Sequence, residues 1–177
     1  YIGAWAATGV VLYLGVGQIW LMLPLMAAAG FLGGAAWGAI AVFLRNWRGV
    51  NEVITTLLSN YVAILFVNVF VFGLWKNPDG FGYPYTADFG TEAMLPALAG
   101  TRLHLGLILP VIAVVASYLV LTRTTWGYNM RAVGGNPEAA RRRGIPVGTY
   151  LVVAMLVGGG IAGLAGMSEV AGIQHHL

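Results

Sequence analysis

The chain has 177 residues, of which 59% are hydrophobic and only 8% charged. A soluble domain carries about 25% charge, so a surface facing water on all sides is excluded and hydrocarbon must cover much of the protein. The net charge of +3 belongs to no basic face interleaved with aromatics, so no nucleic-acid partner is expected; the absence of cysteine removes disulfides and Cys-based metal sites.

A membrane-crossing helix needs about 20 mostly apolar residues. Residues 1–16 read as the latter part of such a helix. With Tyr1 apolar and His175, His176 and Leu177 closing the chain without a polar tail, the sequence is expected to be a fragment of one incomplete domain, 1–177. Segments 21–44, 53–75, 103–122 and 150–168 each reach spanning length without a formal charge. None alternates polar and apolar residues as a barrel strand would. The expected fold is therefore all-α, a polytopic transmembrane bundle of about five helices. Gly30, Gly34 and Gly38 recur every four residues in the second segment, and Gly159 and Gly163, with Ala162 and Gly166, mark a similar face in the last. Such faces let helix backbones cross closely. Pro110, inside the fourth segment, predicts a kink.

The connections predict an orientation. Loop 45–52 carries Arg45, Arg48 and Glu52. Loop 76–102 carries Lys76 and Arg102 with Asp79, Asp88 and Glu92. Loop 123–149 carries Arg123, Arg131, Arg141, Arg142, Arg143 and Glu138. Basic residues divide seven to two between alternate sides, which places 45–52 and 123–149 in the cytoplasm and 76–102 outside. In the outer loop Trp75, Phe81, Tyr83, Tyr85 and Phe89 suit a headgroup belt, and 91–99 is predicted to be a short interfacial helix broken at Pro96.

Loop 123–149 also contains a short, well-punctuated helix. Asn136 is a good N-cap, Pro137 suits the first helical position, and Glu138 favours the positive end of the dipole. The paired Ala139 and Ala140 continue it. Arg141, Arg142 and Arg143 complement the negative end, Gly144 suits the left-handed position that follows, and Pro146 blocks continuation. A two-turn helix stopped at both ends is a rigid knob fit for docking.

Segment 53–75 carries a polar stripe. Glu52, Thr55, Thr56, Ser59 and Asn60 fall within an arc of about 140° at 100° per residue. Unpaired polar groups are costly in hydrocarbon, so this face should look into the bundle or a watery path. Asn60, the deepest amide, can donate and accept, which suits a ribose, a base edge or an interhelical hydrogen bond. Glu52, Thr56 and Asn60 are thus candidates for a substrate path, and Asn51, which directly precedes the stripe, is counted with them. So are Glu169, a lone carboxylate near the end of a membrane segment, and Gln174 beside it. His175 and His176 lack a third ligand and point apart on a helix, so no metal site or other cofactor is expected.

Three stretches carry a family resemblance. The run Arg131-Ala-Val-Gly-Gly-Asn-Pro-Glu-Ala-Ala-Arg-x-x-Gly-Ile resembles the coupling-helix loop of bacterial ABC importer permeases of the branched-chain amino acid and simple-sugar type. The run from Gly49-Val-Asn-Glu-Val-Ile to Ser59-Asn-Tyr-Val-Ala63, and Ala162-Gly-Leu-Ala-Gly-Met-Ser-Glu-Val-Ala-Gly172, are similar to the nucleoside branch of that family. The run Arg141-Arg-Arg143 is more basic than the family pattern. The resemblance covers essentially the whole chain and implies a coupling role for Arg131, Asn136, Pro137, Glu138, Ala139, Ala140, Arg141 and Gly144. It also implies a permease in a bacterial inner membrane that passes nucleosides or, second, simple sugars. The implied partners are a cytoplasmic ABC ATPase, a second permease subunit and an extracytoplasmic binding protein.

Enzyme signatures are absent. Gly134-Gly135 lacks the lysine and Ser/Thr of a phosphate-binding loop, so ATP hydrolysis is expected in a partner chain. An ion-coupled secondary transporter is the rival. It would need intramembrane ionisable residues and helices broken at the midplane, and only Glu169 comes near that.

Overall fold

The structure, a computed structural model, describes residues 1–15, 17–78, 84–96 and 105–177. The described residues form helices α1 (Ile2–Leu14), α2 (Ile19–Arg48), α3 (Glu52–Val69), α4 (Ile108–Arg123), α5 (Thr125–Gly135), α6 (Pro137–Arg142) and α7 (Val147–Glu169). π-helical turns Phe70–Leu74 and Val170–Gln174 extend α3 and α7. Among the described residues, three helices are long and apolar enough to cross a membrane, or four if α4 and α5 count as one bent span.

The antiparallel pair α2 and α7 forms the centre, and α1 packs against both. Glycine makes this possible. A Cβ on Gly34 would collide with the Gly159 carbonyl, and one on Gly163 with the Gly30 carbonyl. A Cβ on Gly38 would lie 2.8 Å from the Met155 carbonyl oxygen, and one on Gly30 3.0 Å from Met167 Cβ. The two glycine faces therefore meet each other. Lipid tails are as apolar as leucine, so such close van der Waals contact, rather than water exclusion, drives helix association. Around this crossing Met22, Met26, Met167, Ala4 and Ala7 fill one core cluster. Ile2, Ala63, Val67 and Val71 form a second, against which Trp5 of α1 packs; Trp5 also stacks on Trp75 at 5.7 Å and meets Phe66 and Phe70 edge-on.

Several boundaries differ from the sequence reading. α2 continues through Arg45 and Arg48 to Gly49, whose φ of 65° ends it. At about 1.5 Å per residue its 30 residues exceed the roughly 30 Å hydrocarbon thickness, so its last turn emerges, where arginines complement the helix dipole. A boundary set at the first charge misses that turn. α4 begins at Ile108, directly after a 3-10 turn Leu105–Leu107, so Pro110 lies in the first α-helical turn, near the change of hydrogen-bond pattern, rather than in the middle of the span. The interior proline is instead Pro24 of α2.

Loop 123–149 is mostly helical. α5 leaves α4 at 83°, and Thr124 caps it by accepting a hydrogen bond from Gly127 N–H at 3.0 Å. Gly127 is required at this elbow because a Cβ would strike the Val120 carbonyl and Leu121.

At the opposite end of the bundle Trp75 and Phe89 are buried, not part of a headgroup belt. Trp75 Nε1 donates to the Tyr13 hydroxyl at 3.1 Å. Segment 84–96 lies along the end of α7, with Phe89 N–H donating to the His175 carbonyl at 2.8 Å and Leu95 N–H to the Ala171 carbonyl at 2.9 Å. Of the expected helix 91–99, a single 3-10 turn Thr91–Ala93 is present. Residues 97–99, like Asp79, Phe81, Tyr83 and Arg102, lie outside the described residues.

Candidate functional site: a polar-walled cavity and a capped knob

A cavity of about 210 Å³ opens where α1, α2, α3 and α7 converge. Its polar wall is Thr56, Ser59 and Asn60 of α3. The facing walls come from the glycine crossing, Gly34, Gly38, Gly159 and Gly163, with Trp37 of α2 and Tyr1, which precedes α1. The side chain of Asn60 makes no hydrogen bond among the described residues, so its amide is free to donate and accept within the cavity. Thr56 Oγ1 donates to the Glu52 carbonyl at 2.8 Å, which satisfies its proton but leaves oxygen lone pairs available.

The structure divides the predicted stripe. Thr55 is buried and donates to the Asn51 carbonyl at 3.0 Å. Asn51 caps α3, its Oδ1 accepting from Val53 N–H at 2.9 Å. Glu52 accepts a hydrogen bond from the Arg45 guanidinium, an ion pair that ties the α2–α3 turn. Asn51 and Glu52 therefore serve the turn, while Thr56, Ser59 and Asn60 serve the cavity. Glu169 and Gln174 do not line it: both are exposed at the end of α7, where the Gln174 amide donates to Glu169 at 3.3 Å. Trp37 was not singled out in the sequence, because a tryptophan amid apolar residues carries no polar signature.

At the other end of α7 stands the knob, α6. Asn136 Oδ1 accepts from both Glu138 N–H, at 3.1 Å, and Ala139 N–H, at 3.0 Å. At the C-terminus Ile145 N–H donates to the Ala140 carbonyl at 3.1 Å and Gly144 N–H to the Arg141 carbonyl at 2.9 Å. This is a Schellman closure, with Gly144 at φ 80°. Asn136, Pro137, Glu138, Ala139, Arg141 and Gly144 are exposed, as is Arg131 on α5. Glu138 lies 3.6 Å from Arg142 and 3.9 Å from Arg141, pairs that hold the helix surface in register. Ala140 is different: it is buried with Val133, Val147 and Tyr150. Trp126 stacks on Tyr150 at 5.4 Å, and Asn129 Nδ2 donates to the Tyr150 hydroxyl at 3.1 Å. The knob is thereby fastened to the first turn of α7, the helix that supplies Gly159 and Gly163 to the cavity.

The sequence profile of a family described as branched-chain amino acid transport system / permease component matches residues 1–176. A glucose ABC transporter permease protein of Haloferax volcanii is 38% identical over 184 residues, covering 98% of this chain and 48% of that protein. A nucleoside ABC transporter permease protein of Lactococcus lactis is 33% identical over 155 residues, covering 83% of this chain and 43% of that protein. A guanosine ABC transporter permease protein of Bacillus subtilis is 32% identical over 155 residues, covering 86% and 44%. The chain spans about half the length of these curated relatives. No solved structure matches it. Its apolar helices and the profile match make it a multi-pass membrane protein, and the chain belongs to the family of branched-chain amino acid transport system permease components.

Proposed function

We propose that the chain is part of the membrane subunit of an ABC importer for nucleosides or simple sugars, driven by ATP hydrolysis in a separate subunit. The observation that carries this reading is that α7 does two things at once: it seats the capped knob, and it forms a wall of the polar cavity. A push on α6 passes through Ala140, Val147 and Tyr150 into α7, and from there into the Gly34–Gly159–Gly163 crossing. Packed crossings of this kind switch between discrete arrangements rather than deforming smoothly. Such a shift would open the cavity alternately to the two sides of the membrane.

In this reading the knob end, with Arg45, Arg48, Arg123, Arg131 and Arg141 to Arg143, faces the cytoplasm of a bacterial cell. The exposed Glu138, Arg141 and Arg142 meet the ATPase. The segment 84–96 faces outward toward a binding protein, and a second permease subunit completes the path. Relatives named for glucose, nucleosides and guanosine support both cargo classes. The test is co-purification of the full-length permease with its ATPase. The double variant Arg141→Glu, Arg142→Glu is expected to insert normally in the membrane yet lose the ATPase. Undiminished co-purification would sink the docking role.

A further inference from the structure

The knob acts on the bundle through whatever holds α5 and α6 to it, and two routes lead inward. The first runs up α4, which the 83° elbow at Gly127 joins tightly to α5. It leads along an open space. A cavity of about 590 Å³ lies between α4 and α7, with Ile112, Ala116 and Val120 on one side and Val153, Val157 and Ile161 on the other. Atoms that face such a space have no packed partners to push on.

The second route is the cluster of Val133, Ala140, Val147 and Tyr150. Within it α5 meets Tyr150 twice. Trp126, in the first turn of α5, stacks on the tyrosine ring at 5.4 Å with an interplanar angle of 29°, and Asn129 Nδ2 donates to the hydroxyl at 3.1 Å. These contacts differ in kind. Apolar burial is non-directional, so α5 could slide along α7 at little cost while keeping it. A hydrogen bond weakens steeply once its line is lost. Among the described residues this is the side-chain hydrogen bond that joins α5 to α7, and Tyr150 is buried, so water has little access to replace it.

We infer that the Asn129–Tyr150 hydrogen bond is the stop that keeps α5 from sliding on α7, and that it sets how much of the knob's displacement reaches the cavity. Asn129 and Tyr150 are then positioning residues for transport. This rests on the knob being driven by a partner ATPase. Without the bond the apolar cluster still seats the knob, but part of each stroke is lost as slip.

The experiment uses the full-length permease with its ATPase and binding protein in proteoliposomes. Uptake of labelled guanosine or glucose, whichever the parent complex imports, is measured beside ATP hydrolysis in the same vesicles. Tyr150→Phe keeps the ring and its stack and removes the hydroxyl; Asn129→Leu removes the donor. Each is expected to co-purify with the ATPase as the parent does, to hydrolyse ATP, and to lose uptake per ATP by up to about 12-fold, the upper range for one neutral hydrogen bond. That ratio does not depend on how much protein folds, so a purely structural role would leave it unchanged. Asn129→Gln keeps a donor and is expected to lose less than Asn129→Leu. Either single change removes the same bond, so the double variant should fall no further than the lower single. A parental ratio in both singles, or losses that multiply in the double, overturns the inference. Loss of the ATPase from Tyr150→Phe would place the hydroxyl in docking and overturn it too. Should Asn129→Leu fail to insert, Tyr150→Phe decides alone. Retention of the ATPase by Arg141→Glu, Arg142→Glu removes the docking reading itself, and this inference with it, whatever ratio Tyr150→Phe gives.

Discussion

Asn60 and Ala140 show how much a single side chain's direction matters. Asn60 is exposed and lines the cavity, and its side chain has no hydrogen-bond partner among the described residues, so replacing it removes no bond that holds the fold. Asn60→Leu is therefore expected to leave protein level and insertion unchanged while lowering uptake of subsaturating cargo about 2- to 12-fold, the range for one neutral hydrogen bond. Radiolabelled uptake with an immunoblot for quantity checks this, and parental uptake would reduce Asn60 to a bystander. Ala140 lies in the very motif that resembles a docking loop, yet its methyl packs inward against Val133 and Tyr150. A bulky residue there would loosen the knob from within rather than block a partner's groove. The spacing of the motif is legible in the sequence; the inward turn of Ala140 depends on α5 folding back across α7.

Among the elements, the α2–α7 crossing and the capped knob make opposite demands. The crossing tolerates no Cβ, whereas a methyl added at Gly158, one residue from the interface, would meet nothing within 4 Å. Gly34→Ala is expected to destabilise the protein by about 1–3 kcal/mol through overpacking. Gly158→Ala should be neutral or stabilising by up to about 1 kcal/mol, because it removes backbone entropy from a helix. Thermal unfolding in detergent compares them, and equal Tm values would argue against the crossing. The knob depends on its caps instead. Asn136→Ala is expected to cost about 1 kcal/mol of helix stability. Amide exchange across α6 should then accelerate while exchange in the middle of α7 is unchanged. Both elements were readable in advance because their causes are local: glycine every four residues, and a cap, a proline and a glycine at set distances. α5 was missed although Thr124 and the spacing of Trp126, Met130 and Val133 carry its signal. A basic stretch between apolar spans reads first as a loop.

For the whole molecule, the seven-to-two division of basic residues predicts a direction. The chain has no cysteine, so single-cysteine variants report cleanly. Lys76→Cys is expected to react with an impermeant maleimide from outside intact cells, and Gly135→Cys only after lysis. Both positions are exposed, and a Cβ on Gly135 meets nothing within 4 Å. Reversed labelling would invert the orientation and move the knob away from any cytoplasmic motor. Much apolar surface remains open at this scale. α4 has no buried residue, and most of α3 is exposed. These faces suit lipid tails or further helices of a longer subunit.

Composition alone determined that the chain lives in hydrocarbon, and helical periodicity determined that it does so as helices. The spacing of caps and glycines then marked the knob and the crossing faces, because each of those signals acts within one or two turns of its own helix. The tertiary structure alone decided which groups share a cavity. The polar stripe of α3 divides between the Arg45–Glu52 turn and the Thr56–Ser59–Asn60 wall, Trp37 joins from α2, and Glu169 is left outside. Contacts between helices far apart in the chain depend on how closely their backbones approach and at what angle. Here that approach is set by the glycine faces of two helices at once, and neither face specifies its partner by itself.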